Sequence, residues 1–158
     1  DVLIKVKAAS ICGTDIRIFR REIDVNAPLV LGHDFSGIVA GVGNSITKFK
    51  RGDRVISEAI RYCRNCYYCK MGRYNLCLNG AYMGFEINGA FAEYVSTPDY
   101  GVFKVPKNVS FEEAAITEPI DIDLHVLDFV QLRAGETMAI IGQGPIGLVQ
   151  TQVAKLHG

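Results

Sequence analysis

Four cysteines between Cys63 and Cys77 constrain this chain more than any other stretch. They stand at spacing C-x2-C-x2-C-x7-C, as Cys63, Cys66, Cys69 and Cys77, with Tyr62, Tyr67, Tyr68, Arg64 and Arg73 around and between them. Thiolates are soft ligands, and four in one short loop can close a tetrahedron around Zn2+ with no open position. Such a site supports structure and does no chemistry. Disulfides fit poorly, because loops as short as two consecutive x2 spacings rarely give the bond its required geometry. A core strand does not fit either, given the tyrosines and arginines between the cysteines. Iron in the same ligand set is the minor alternative. The spacing therefore predicts a metal lobe.

The chain of 158 residues is long enough for one domain with a real core. Hydrophobic residues make up 49%, charged residues 22%, and the formal net charge is zero. That balance gives no electrostatic reason to expect nucleic acid or an anionic membrane surface as partner. No apolar run approaches the length that spans a bilayer. Asp1 to Lys7 alternates like a strand and lacks the basic-then-apolar layout of a signal peptide. A free thiol at Cys12 beside a thiolate lobe suits a reducing compartment, so a cytoplasmic location is expected.

The first hundred residues read as strands and turns. Val2, Ile4 and Val6 have the period of a half-buried strand. Phe35 to Val42 reads as a strand with close backbone approach at its glycines, Arg54 to Ser57 as a short strand after a turn. Ala90 to Val95 and Val102 to Val105 follow. Short strands with Gly-rich turns suggest a barrel-like or sandwich-like β domain. The pattern changes at Ser110, where Ser110-Phe111-Glu112-Glu113 forms a capping box. Pro119 is expected to interrupt the helix that follows, and a second helical pattern runs from about Ile122 to Leu132. Thr137 to Ile141 reads as a short buried strand. One strand and one helix cannot make a parallel sheet alone, so the pattern reads as the beginning of a larger domain.

Cys12, His33, Asp34 and Glu118 are candidate ligands for a second metal. A Cys, a His and a carboxylate suit Zn2+ with one position left for water or substrate. Spacing alone leaves the ordinary readings open: a buried thiol, a capping or core histidine, a solvated glutamate. Asp15 and Asp34 could orient the histidine from behind. A third feature is Gly142-Gln143-Gly144-Pro145-Ile146-Gly147, a G-x-G-x-x-G between a strand pattern and a helical pattern. In that context the glycines allow a tight turn, close approach of a pyrophosphate and close helix packing. Pro145 suits a helix start.

Taken together, Cys12-Gly13-Thr14-Asp15, Gly32-His33-Asp34, the four-cysteine lobe, Gly89 to Tyr94, Glu118-Pro119 and Gly142 to Gly147 resemble the zinc-dependent medium-chain dehydrogenase/reductase family. Glu118-Pro119 with Cys12 to Asp15 looks most like its polyol and threonine dehydrogenase branch. The resemblance implies a mainly β GroES-like domain over residues 1–118, followed by the start of an α/β Rossmann domain over 119–158. It implies two zinc sites. Cys12, His33 and Glu118 would hold a catalytic zinc, with Asp34 as an exchangeable ligand, and the four-cysteine lobe a structural one. Thr14 would hydrogen-bond the substrate hydroxyl and begin its proton relay. Gly142, Gly144, Pro145, Ile146 and Gly147 would bind NAD or NADP. The implied reaction is hydride transfer between a secondary alcohol and the nicotinamide, in a homo-oligomer, dimer or tetramer. Two further readings accompany it: a non-catalytic zinc-binding piece of such an enzyme, and a reductase of the same fold without catalytic zinc. Three positions depart from the family. It usually has Glu at the position of Asp34, often a relay-ending His at Arg17, and small neutral residues at Asp121 and Asp123.

Overall fold

Strand β1 (Val2–Ala9) sits inside a five-stranded antiparallel sheet, and the alternation of its sequence explains why. Val2 and Ile4 are fully buried while Leu3 and Lys5 face out, the period-two pattern of a half-buried strand. The computed structural model describes residues 1–158 and divides into two units, Asp1–Ala115 and Ile116–Gly158.

In the first unit, β1 leads into a short helix α1 (Gly13–Phe19). Strand β2 (Phe35–Val42) pairs antiparallel with β1, with register shifts between Leu3 and Ile4 and between Val6 and Ala8. Strand β3 (Arg54–Ser57) follows, then β4 (Ile60–Arg61), α2 (Tyr67–Lys70) within the cysteine lobe, and β5 (Ala81–Tyr82), which pairs with β4. Strands β6 (Tyr94–Thr97) and β7 (Val102–Lys104) complete the main sheet in the order β6-β1-β2-β3-β7. Helix α3 (Phe111–Ala115) packs against β1 and β2. The core under the sheet comprises Val2, Ile4, Phe35, Val39, Phe49, Val55, Met83, Ala90, Val95 and Val102. Burying such side chains contributes roughly 1.5–3 kcal/mol each before entropy is counted.

Four expected strands stand where the sequence puts them, with ends that differ by at most two residues. The fifth is shifted: residues 90–93 form bends, and the strand begins at Tyr94. The helix α1 breaks the expectation of strands and turns alone in this stretch.

The capping box forms as the sequence predicts. Ser110 Oγ accepts from Glu113 N at 3.1 Å, and Ser110 N donates to Glu113 Oε2 at 2.7 Å. The Ser110 amide, then its hydroxyl, hold the Glu113 carboxyl below the usual carboxylate range. Because the folded pKa is depressed, this contribution is present above the unfolded Glu value of about 4.3 and is lost as pH falls through the folded one. Ser110→Ala is expected to lower stability by about 1 kcal/mol, read as a shift in the urea midpoint with an unchanged slope.

The second unit consists of α4 (Thr117–Val130) and α5 (Pro145–His157) joined by an irregular segment. Pro119 does not interrupt a helix. It is the third residue of α4, where backbone N–H groups have no partner inside the helix and a missing donor costs little. Thr137–Ile141 does not form the buried strand expected of it, and Ile141 is 99% exposed. A strand needs a hydrogen-bonded neighbour, and this unit offers none to it. Asp123 and Leu127 on α4 and Gly147, Gln150 and Val153 on α5 are the buried residues of the two helices.

Candidate metal centres and glycine turn

The cysteine lobe assembles as its spacing predicts. The four sulfurs of Cys63, Cys66, Cys69 and Cys77 lie within 4.8 Å of one another. Cys63 Sγ is 4.0 Å from Cys69 Sγ, and Cys66 Sγ is 3.9 Å from Cys77 Sγ. These separations match the edge of a zinc tetrathiolate, about 3.8 Å for Zn–S bonds of about 2.3 Å, and are far too long for disulfides. All five cysteines are free.

Backbone amides are aimed at the sulfurs. Cys63 Sγ accepts from Asn65 N at 3.5 Å and from Cys66 N at 3.3 Å, and Cys77 Sγ accepts from Cys63 N at 3.2 Å. The amides of Asn65 and Cys66 pull the Cys63 thiol down to about 6, whereas burial pushes the Cys69 thiol up to about 12. Arg64 stands between the first two cysteines in the left-handed region, at φ 59. Its guanidinium lies 5.4 Å over the Tyr100 ring. Tyr62 stacks on Tyr74 at 4.3 Å and meets the Tyr100 ring at 4.3 Å with a 40° tilt, and Tyr100 donates to the Tyr62 carbonyl at 2.8 Å. Tyr62, just before the first cysteine, therefore links Tyr74 of the lobe to Tyr100, just before β7.

A second cluster gathers where β1 ends and β2 begins, two inner strands of the sheet. Cys12, His33 and Asp34 bring their ligand atoms within 4.8 Å of one another. Sulfur, imidazole nitrogen and carboxylate oxygen make a donor set suited to zinc. Cys12 immediately precedes α1, and Asp15 in the first turn of that helix does the local work. Its Oδ2 accepts from Cys12 N at 2.8 Å, and its Oδ1 accepts from Gly32 N at 3.1 Å. One buried carboxylate thus ties the Cys12 loop to the His33 loop. Asp15 Oδ1 also lies 4.0 Å from His33 Nδ1, and Asp34 Oδ1 lies 3.7 Å from His33 Nε2. Ser10 donates to Asp34 Oδ2 at 3.2 Å from its hydroxyl and to the Asp34 carbonyl at 2.9 Å from its amide. Thr14 Oγ1 is 3.8 Å from Cys12 Sγ. The His33 loop is locked from the other side. Gly89 N donates to Val30 O at 2.7 Å and Ala90 N to Gly32 O at 2.8 Å. A Cβ on Gly89 would fall 2.1 Å from Gly32 O, so only glycine allows this approach.

Glu118 stands in the first turn of α4, in the second unit. Arg17 pairs with Glu22 at 3.5 Å on the surface. At the glycine turn, Gly144 caps α5 and Pro145 opens it, as the motif predicts. A Cβ on Gly147 would meet Gly142 O at 1.9 Å, so the third glycine lets the helix pack on the turn. No helix is long and apolar enough to cross a membrane.

Residues 1–107 match the family described as the alcohol dehydrogenase GroES-like domain, over roughly two thirds of the chain. The chain belongs to that family. The GroES-like portion is mainly β, and the helices after it are the start of an α/β Rossmann domain. Among the relatives, sorbitol dehydrogenase of Bacillus subtilis (strain 168) is 40% identical over 163 residues, which cover 100% of this chain and 46% of that protein. L-threonine 3-dehydrogenase of Bacillus velezensis is 43% identical over 163 residues, covering 100% and 47%. A solved structure from Sinorhizobium meliloti 1021, described as a zinc-binding dehydrogenase bound to NADP, superposes with TM-score 0.94 at 38% identity. It is covered to 46%, and this GroES-like chain to 99%. The chain thus spans a little under half the length of the relatives it matches.

Proposed function

We propose that the whole protein is a zinc-dependent oxidoreductase. It transfers a hydride between a small secondary alcohol (a polyol, sugar alcohol or amino alcohol) and NAD or NADP. The observation that carries this reading is the convergence of Cys12, His33 and Asp34. These residues would hold a catalytic zinc, with Glu118 as a further ligand directly or through water. Bound there, zinc supplies the Lewis acidity that makes a substrate hydroxyl a better acid.

The chain's own residues do the rest. Asp15 fixes Cys12 and His33 relative to each other through two backbone amides. The Thr14 hydroxyl stands at the ligand cluster, where it can accept the substrate hydroxyl's proton and pass it on. Arg17 offers no acceptor for that proton, since a guanidinium carries only donors, and it pairs with Glu22. The relay therefore leaves Thr14 by another route. At the glycine turn, Gly142, Gly144, Pro145, Ile146 and Gly147 present the start of α5 to a pyrophosphate. The nicotinamide supplies the redox chemistry. The cysteine lobe would carry a structural zinc with all four positions filled.

Residues 1–118 are proposed as the GroES-like domain and 119–158 as the start of the Rossmann domain, in a cytoplasmic homo-oligomer. A second reading applies to the 158 residues by themselves, as a zinc-binding piece without turnover. The unpaired segment at 137–141 favours it, because the glycine turn there has no sheet behind it. Metal analysis tests the main reading. Two zinc per chain are expected, and one zinc per chain would point to a reductase without catalytic zinc.

A further inference from the structure

Asp123 is a buried acid that the proposed chemistry does not use. It is 0% exposed on α4, and Gln150 on α5 is 4% exposed. With its amide nitrogen turned toward α4, the orientation that satisfies the Gln150 amide, Gln150 donates to Asp123 Oδ1 at 2.8 Å and to the Asp123 carbonyl at 3.3 Å. Asp123 Oδ2 is buried without a hydrogen-bond partner. Around this pair the interface is small. Leu127 is the other buried side chain of α4, and Gly147 and Val153 flank Gln150 on the same face of α5. Gly147 in turn rests against Gly142 O, the first residue of the glycine turn. Whatever fixes α5 against α4 at Gln150 therefore fixes that turn one helical turn away.

We infer that Asp123 and Gln150 are positioning residues, forming a buried hydrogen-bonded clasp between α4 and α5 that holds the glycine turn in place. Its role in nucleotide binding rests on the reading of that turn given above; the clasp itself does not.

Burial raises the Asp123 pKa, with no charge contributing. The faces packed on it carry Gly147, Gln150 and Val153, none of them charged, and Asp121, His125 and Asp128 of α4 are exposed, as are Lys155 and His157 of α5. A folded pKa above the unfolded Asp value of about 3.9 means that the protonated acid is the better tenant. The clasp's contribution is full below about pH 3.9 and declines as pH rises through the folded value. Asp123→Asn keeps the acceptor and removes the charge.

Residue-resolved amide exchange of the 158-residue chain and its variants tests this without any nucleotide. Asp123→Ala and Gln150→Ala are each expected to speed exchange about tenfold or more in α5 and in residues 142–147, with the β sheet unchanged as an internal check of folding. The double variant is expected to be no worse than either single one, since one interaction is being removed. Asp123→Asn is expected to match wild type at pH 4 and to be better protected at pH 8. Unchanged exchange at 142–147 in both alanine variants, additive losses in the double, or an Asn variant as damaged as the Ala variant would overturn the clasp. A parallel NADH titration separates the two ideas: a wild-type chain protected at 142–147 that still binds no NADH counts against the nucleotide reading and supports the clasp.

Discussion

Replacing Cys69 by alanine is expected to remove one zinc per chain and to lower stability by about 4 kcal/mol or more, the range in which loss of a metal falls. For a chain of this size that moves Tm down by roughly 10 °C. Cys69 is the one buried sulfur of the four, and it stands within α2 at the centre of the lobe. Without it the remaining three sulfurs would have to close the coordination with water, and the Tyr62, Tyr74 and Tyr100 stack would lose the loop that presents it. The ligand atoms of the second cluster lie in other loops, at Cys12 and at His33 and Asp34. The variant should therefore keep the other zinc as long as the sheet stays folded. Zinc content measured alongside thermal unfolding decides the matter. Full zinc retention with unchanged Tm would show that the lobe is not a metal site.

The cysteine spacing was legible because ligand geometry acts over a few residues, and so was the capping box at Ser110, which is local for the same reason. Strands whose alternation reports one buried face, such as Val2 to Ala9, were equally readable. Three features were less so, each for a physical reason. Helix α1 has seven residues and no apolar periodicity, so its only sequence signal is Asp15, three residues after Cys12 and able to cap it. The Thr137–Ile141 segment carries a strand's composition, but a strand is a property of pairs, and composition says nothing about the neighbour. Pro119 looked like a breaker because its effect depends on position within a helix, and the helix begins at Thr117, ahead of the apolar pattern that starts near Ile122. The cluster of Cys12, His33 and Asp34 lies between these cases. Cys12 and His33 are 21 residues apart in sequence, and neither carries a local signature of the other. The link is Asp15, whose two oxygens reach both loops, and whose partner at Gly32 became visible only in three dimensions.

If the whole protein is the proposed oxidoreductase, Cys12→Ala in it is expected to lower kcat/KM by about a thousandfold or more while leaving the lobe zinc and the unfolding transition nearly intact. Several kcal/mol of transition-state stabilisation is what a Lewis-acid metal contributes, and each 1.36 kcal/mol is about tenfold in rate. The sulfur supplies one of three converging ligand atoms, and His33 and Asp34 alone are a weaker site. The fold has little reason to suffer, because the Asp15 carboxylate holds the Cys12 backbone amide, which alanine retains. Cys12→Ser sharpens the test. It keeps the size of the side chain and replaces a soft thiolate by a hard hydroxyl, so retained structure with lost zinc isolates ligation from packing. The decisive comparison is with Cys69→Ala. One substitution should remove turnover and spare Tm, and the other should lower Tm at once. If both variants lost stability to the same degree and neither lost zinc selectively, the division into a reactive centre and a structural support would fail. If Cys12→Ala kept its activity, the second cluster would be a half-buried thiol beside an ordinary histidine, and the hydride chemistry would have to proceed without a metal held there.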